Sequence, residues 1–436
     1  MPPGPKQPAQ PNPARDAAVD VVRTLRYAGF TAYLAGGCVR DELLGLIPKD
    51  YDVATDATPD RVQKLFAHTS AVGAAFGVIL IHAKPGSKAG AVEVATFRED
   101  GDYSDRRRPD SVRFSDARTD AERRDFTINA LFRDPLAPDG DGVIDFIGGR
   151  ADLAAGVVRA VGDPEARLAE DHLRALRAVR FSARFGFTIE DATARAIRAH
   201  AGDLAGVSRE RIGDELRRML AHPARDAAVR TLCHLGLDGP VLAGSPSGQP
   251  TPVLAALRAD AAFTEALAAW AVDRHSDDRG LSKRALDEPA RESLVARWAG
   301  ALLLSNEERA ALAGTLAALA VLLDGWELLS IAGRKRLAAG PRYQGAQAVL
   351  SAIDGDRAKD VATDVSTLAN DGIGLAPVPL IDGNDLIELG FSPGPGFARV
   401  LAAVYDRQLE GELSTNAEGI ACARELWPTL SVKAEG

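Results

Sequence analysis

Tyr33-Leu-Ala-Gly-Gly-Cys-Val-Arg-Asp-Glu-Leu-Leu-Gly45, followed by Pro48-Lys-Asp-Tyr-Asp-Val-Ala-Thr55, is the stretch from which the fold of this 436-residue chain is read. A short apolar run ends in Gly36 and Gly37. A helical turn from Val39 to Leu44 carries Arg40 and Asp41, Gly45 and Pro48 stop it, and a second extended run covers Tyr51 to Thr55. Side chains at i and i+2 of an extended segment share a face, so Asp50 and Asp52 are expected side by side. Two ionised acids so placed repel. A divalent cation relieves that repulsion, and carboxylates suit Mg²⁺. Read alone, the pair describes two acids at an exposed strand end more readily than a metal site.

Working outward, residues 14–29 read as an amphipathic helix and 31–35 as a strand. Thr58-Pro59 opens a helix to about residue 67, with Thr58 at the N-cap and Pro59 at N1. Residues 78–82 and 91–97 read as strands joined by a polar turn at Pro85-Gly86, and 143–146 as a further extended piece. A mixed sheet of about five strands follows. Beyond Gly149 strand signals stop. Residues 163–235 have helical periodicity with abundant Ala, Leu and Arg, 243–252 are rich in Gly, Ser and Pro, and 253–373 are again helical. Pro377 and Pro379 mark another boundary before a small helical segment. The expected class is α+β. The expected division is a disordered arm (1–13, with six prolines), a mixed domain (14–150), and three helical parts (151–235, 236–375 and 376–436).

Composition excludes several alternatives. Hydrophobic residues are 46% and charged residues 26% of the chain, as in ordinary globular proteins. The longest mostly apolar stretch, 311–323, reads as too short to span a bilayer, and no apolar leader is evident. Cys38, Cys233 and Cys422 form neither a metal-type pair nor a disulfide framework, which fits a reducing cytoplasm. The seven histidines make no His-Asp dipeptide and no His-x-x-His, so a histidine-based phosphohydrolase has little support. The net charge of −9 argues weakly against nucleic-acid binding. Local basic runs at Arg106–Arg108, Arg123-Arg124 and from Arg209 to Arg218 argue the other way, although each equally describes a solvated face.

The remaining chemistry clusters around the opening stretch. Gly37 permits close backbone approach to a phosphate, the helix start after it favours an anion, and Arg40 adds a charge-assisted contact. The Gly-x-Gly-x-x-Gly spacing of a dinucleotide-binding turn is absent. Glu93, on a later strand, is either a third carboxylate near the metal or an exposed strand residue. Together the quoted segments resemble the first signature of the class II tRNA nucleotidyltransferase and bacterial poly(A) polymerase superfamily. Its members transfer NMP units from NTPs to an RNA 3′-hydroxyl without a nucleic-acid template. The resemblance implies a polymerase-beta-like nucleotidyltransferase head followed by all-α neck, body and tail.

Further motifs extend it. Arg123-Arg-Asp-Phe-Thr-Ile-Asn-Ala-Leu131 is similar to the family's second motif, which implies that Arg124 contacts the nucleotide while Asp125 and Asn129 hold the ribose side. Glu170-Asp-His-Leu-Arg174 resembles the base-recognition motif. With Asp171 and Arg174 expected as i, i+3 neighbours on one helix, it implies a pocket that reads CTP and ATP. The same resemblance implies that Arg177 and Arg180 complete that pocket. Otherwise these residues describe ordinary helix-surface ion pairs. Ser208-Arg-Glu-Arg-Ile-Gly-Asp-Glu215 resembles the helical motif that braces the base-reading helix, and 381–394 resembles the tail. Thr96–Phe114 resembles the loop kept by full CCA-adding members, and Val72-Gly-Ala-Ala-Phe-Gly-Val78 their Gly-x-x-Phe-Gly strand entry. CCA addition to tRNA with Mg²⁺, CTP and ATP is therefore the expected activity, in the cytoplasm and without a membrane. Its alternatives are A-only addition, poly(A) synthesis, and a non-catalytic RNA-binding relative.

Overall fold

The computed structural model describes residues 12–73, 77–82, 90–101, 112–277, 280–281 and 287–430. The basic run Arg106–Arg108, the Pro85-Gly86 turn, and most of the N-terminal arm lie outside these residues, as do the middle of the 96–114 loop and of the 72–78 strand entry. The chain divides into two compact units, residues 1–215 with 227–246, and residues 216–226 with 247–436.

The first unit opens with α1 (Pro13–Tyr27), whose Asn12 side chain caps Arg15 N–H and whose buried face is Ala18, Val21, Val22 and Leu25. Strand β1 (Ala32–Ala35) leads through the glycines into α2 (Gly37–Leu43), then β2 (Asp52–Thr55) and α3 (Pro59–Leu65). Strands β3 (Thr69–Gly73), β4 (Val78–His82) and β5 (Ala91–Thr96) follow, and a separate ribbon pairs β6 (Arg98–Asp100) with β7 (Val112–Phe114). After α4 (Ala117–Glu122) and a 3₁₀ turn at Thr127–Asn129 come β8 (Phe132–Arg133) and β9 (Val143–Ile144). The sheet has seven strands in the order β3-β4-β5-β2-β1-β8-β9, rather than about five. The β2–β5 pair is its one parallel neighbour pair; the others are antiparallel. Ala35, Ala54, Phe97 and Phe132 share one core cluster, with Phe97 and Phe132 edge to face at 5.9 Å.

Helical structure then predominates: α5 (Gly149–Ala155), α6 (Pro164–Glu170), α7 (Leu173–Phe185), α8 (Asp191–Ala199) and α9 (Arg209–Leu220). Strands do not stop at Gly149, however. β10 (Val157–Val158) pairs in parallel with β11 (Thr188–Ile189), and two-residue strands carry no readable periodicity. The single helix expected to carry both Asp171 and Arg174 is also broken. Asp171 is extended (φ −152°, ψ 101°), and its Oδ1 accepts the Leu173 N–H at 3.1 Å. That local side-chain bond competes with helix propagation.

The second unit is almost wholly helical. Its longest apolar run differs from the sequence reading. The helical stretch Asn306–Leu328 is 23 residues, long and apolar enough to cross a membrane by length and composition. Within the unit it buries Ala311, Leu312, Thr315, Leu316, Ala318 and Leu319, as a core helix does. Near the C-terminus Ile381, Leu386, Val400, Val404, Cys422 and Ala423 form a core of their own, flanked by Phe391 stacked on Trp427 at 4.1 Å.

Candidate active site

Three carboxylates gather at one end of the central strands. Asp50 lies just ahead of β2 rather than within it. Asp52 opens β2, and parallel pairing makes Glu93 on β5 its direct register partner. In-register residues on neighbouring strands present side chains to the same face. All three residues reach solvent. Even so, the protein around Asp52 strips enough of its hydration to push its pKa up to about 6, reinforced by Glu93 and Asp50 and opposed by Arg124. Glu93 is likewise raised, by desolvation and then by Asp50. A carboxyl that holds its proton more tightly when folded than unfolded loses stability as pH rises through that range. Asp52 and Glu93 resist ionisation, and a cluster built only of oxygen donors fits a hard divalent cation. Asp50, Asp52 and Glu93 are the residues that would hold it.

Behind these acids lies a continuous polar chain. Arg184 on α7 donates to Asp41 Oδ2 at 3.1 Å. Arg40 closes on Asp41 Oδ1 from Nε and Nη2 (2.8 and 2.6 Å), while its Nη1 donates to Asn129 Oδ1. Asn129 in turn donates to Asp125 Oδ1 at 3.0 Å, and Arg177 Nε donates to Asp125 Oδ2 at 2.7 Å. Arg40 is 3% exposed and lies over both the Phe181 and Phe185 rings. It is therefore enclosed, tying α2 to α7, and not extended toward a phosphate as its motif suggested. Burial alone would raise the Asp125 pKa; the Arg177 guanidinium, Asn129 and the Phe126 N–H outweigh it and hold the carboxyl at about 2.

Arg124 stands between this chain and the acids. It donates to Asp120 Oδ2 (3.2 and 3.1 Å) and to the Asn129 carbonyl (3.0 Å), and its ring partner is Phe132. Gly36 is shaped by it. At φ +72°, a Cβ there would meet Arg124 Nη1 at 2.6 Å. The Gly36 conformation is one that other residues adopt at a cost of about 1–3 kcal/mol. Gly36→Ala is accordingly expected to lower stability by about that amount, measured by denaturant unfolding; an unchanged midpoint would show that Arg124 yields freely. Gly37 begins α2 and is less constrained, with a Cβ only at ordinary contact from Arg40.

The residues expected to read the base are close in sequence but partnered differently than expected. Asp171 lies between α6 and α7, not on one helix with Arg174, and takes both Arg211 Nη atoms (3.2 and 2.6 Å). Arg174 donates to Glu170 Oε2 and to the Arg167 carbonyl. Arg180 is fixed to Glu215 at 2.6 Å and lies over Phe181. Sequence reasoning missed Asp41 and Arg184 as members of this assembly, with the adjacent Arg40-Asp41 pair as the signal at hand. Arg211 belongs to the Ser208–Glu215 motif expected to brace the base-reading helix, and with Glu215 it meets Asp171 and Arg180. The Arg209–Arg218 stripe is not an open basic face either. Arg209 is spent on the Pro240 carbonyl, Arg211 on Asp171, and Arg217 on Glu308. Arg123 closes on Asp120.

A mixed sheet presenting clustered acids, followed by a helical module, defines the class: a nucleotidyltransferase with a poly(A) polymerase-type head. The family model described as the poly A polymerase head domain matches residues 32–159, and that of the probable RNA and SrmB-binding site of polymerase A matches 186–242. The chain is 34% identical over 402 residues to the CCA-adding enzyme of Lactiplantibacillus plantarum, covering 89% of this chain and 90% of that one. To the CCA-adding enzyme of Geobacillus thermodenitrificans it is 41% identical over 228 residues, and there the match spans about half of each chain, 52% and 54%. Among solved structures, the Bacillus stearothermophilus CCA-adding enzyme in complex with CTP superposes with a TM-score of 0.77 at 28% identity, covering 97% of this chain and 99% of that one. The chain belongs to the CCA-adding enzyme family.

Proposed function

We propose that this protein completes tRNA 3′ ends, adding CMP and AMP units from CTP and ATP with release of pyrophosphate. The observation that carries this reading is the likeness to the CTP-bound CCA-adding enzyme across nearly the whole of both chains. Residues 14–150 act as the catalytic head, 151–235 as a neck that reads the base, 236–375 as body and 376–436 as tail. Asp50 and Asp52, with Glu93 beside them, hold Mg²⁺. When bound, the ion supplies charge neutralisation for the attacking hydroxyl and the leaving pyrophosphate. Arg124 steadies the triphosphate, and Asp125 and Asn129 shape the ribose side. Gly37 and Arg40 support the turn on which these groups rest. Asp171 and Arg174 present an acceptor and a donor to the base edge. Arg177 and Arg180 hold the helix behind them. The three cysteines are free thiols, in keeping with work in the cytoplasm.

The test is product sequencing. A tRNA ending at the discriminator base, and another ending in CC, are offered with all four NTPs. CCA on the first and A on the second is the expected result; a long A tract, or A on the second substrate alone, would replace this reading by its nearest alternatives. Arg174→Ala is expected to reduce preference for CTP and ATP over UTP and GTP by roughly ten- to a hundredfold, because a base edge loses its hydrogen-bond partner. Competition assays with mixed NTPs measure it, and unchanged preference would make Arg174 a brace for Glu170 only.

A further inference from the structure

A second cluster of potential ligands lies in the same unit, outside the acid site and unused by the reaction. His172 caps α7 directly after Asp171, His200 ends α8, and Asp203 lies on the following 3₁₀ segment Ala201–Gly206. One donor atom from each falls within 4.8 Å of the others. His200 Nδ1 is 2.8 Å from Asp203 Oδ2, and His172 Nε2 is 3.9 Å from the same oxygen. Donor atoms around a tetrahedral zinc ion are about 3.3 Å apart, a value these two distances bracket.

The other ring nitrogen of His200 supplies a separate observation. Its Nε2 is 2.7 Å from Glu165 Oε2 in the first turn of α6. Metal-bound imidazoles are characteristically oriented by a carboxylate on the nitrogen that faces away from the metal. With Glu165 holding the proton on Nε2, the nitrogen left to give up its proton to a metal is Nδ1, the one that meets Asp203. His172 itself is 3% exposed and its ring lies 5.7 Å from that of His200. A buried imidazole, a second imidazole with its orienting carboxylate, and a half-exposed carboxylate differ in kind from the all-oxygen set at Asp50, Asp52 and Glu93. Imidazole donors select zinc-class cations over Mg²⁺.

We propose that His172, His200 and Asp203 form a binding site for a zinc-class divalent cation, with Glu165 orienting His200. Binding displaces the Nδ1 proton of His200, which leaves to solvent, and the fourth position falls to water. Because His172 adjoins Asp171, the ion pins the turn between α6 and α7 to α8, fixing the segment that carries the base-recognition acid. Its role is positional and separate from the proposed transfer reaction.

Cobalt(II) titration of the full chain in excess Mg²⁺, which occupies the oxygen site, tests this directly. One equivalent is expected to give the intense visible absorption of four-coordinate cobalt, lost on adding Zn²⁺. His200→Ala is expected to abolish the signal, and Glu165→Gln to weaken the affinity roughly ten- to a hundredfold. Zn²⁺ is also expected to raise the thermal midpoint of the wild type but not of Asp203→Asn, whose side chain is exposed enough for the variant to fold. Absence of four-coordinate absorption in the folded wild type, or a signal unchanged in both Asp203→Asn and Glu165→Gln, would overturn the site.

Discussion

Asp52→Ala is expected to lower the rate of NMP transfer by about three orders of magnitude or more while tRNA affinity stays near wild type. A metal supplies several kcal/mol of charge stabilisation in the transition state, and each 1.4 kcal/mol or so is tenfold in rate. Asp52 couples electrostatically to Glu93, Arg124 and Asp50 together. Single-turnover extension of a tRNA ending in CC measures the loss, and filter binding measures the affinity. The metal-free protein offers an independent sign. Asp52 is pushed up to about 6 from an ordinary 3.8, so its ionisation costs stability as pH rises between those values. Asp52→Asn should therefore be at least as stable as the metal-free wild type at pH 7.5, with any advantage shrinking toward pH 4. A variant that is both less stable at pH 7.5 and still active would show a structural aspartate instead of a metal ligand.

The second large effect is on folding. Asp125→Ala removes the acceptor shared by Arg177, Asn129 and the Phe126 N–H. Breaking a buried ion pair on one side costs about 3–5 kcal/mol. A third of the Arg177 side chain reaches solvent, which places the expected loss near about 3 kcal/mol, read from denaturant unfolding. The pH dependence has the opposite sign to that of Asp52. Asp125 is held at about 2 against an ordinary 3.8, so its contribution is complete above pH 4 and is lost as pH falls toward 2. Wild type should lose more stability across that interval than Asp125→Asn. Parallel acid profiles for the two would mean that the Arg177 pair contributes nothing.

Much of this site was legible in advance because its chemistry is compressed into contiguous motifs. Strand, glycine turn, helix and strand at residues 32–55 stand where the residue pattern puts them. What escaped was of two kinds. Strand β3, with Thr69, Ser70 and Gly73, lacks the apolar alternation that marks a half-buried strand, and β8, β10 and β11 are two residues long. Their pairing is decided by tertiary contacts. The second kind concerns partners. Nothing in Glu170-Asp-His-Leu-Arg174 reveals that Asp171 will leave the helix by capping Leu173 and meet Arg211 forty residues away. Nor does Arg40 reveal from its neighbours that Phe181 and Phe185 will enclose it. Spacing predicts which residues can meet within an element, but it says little about which of several arginines takes a given carboxylate.

The chain of bonds from Arg184 to Arg177 bears on how such proteins can be cut and recombined. Arg177 and Arg184 are two helical turns apart on α7, and each supplies the counter-ion for an acid in the segment before residue 150: Asp125 at one point, Asp41 at the other. A fragment ending at residue 150 would leave Asp125 without the Arg177 cation and Asp41 with Arg40 alone. The mixed sheet is thus no transplantable cassette, and chimaeras that exchange it between relatives should keep α7 with it, placing the crossover after Gly186.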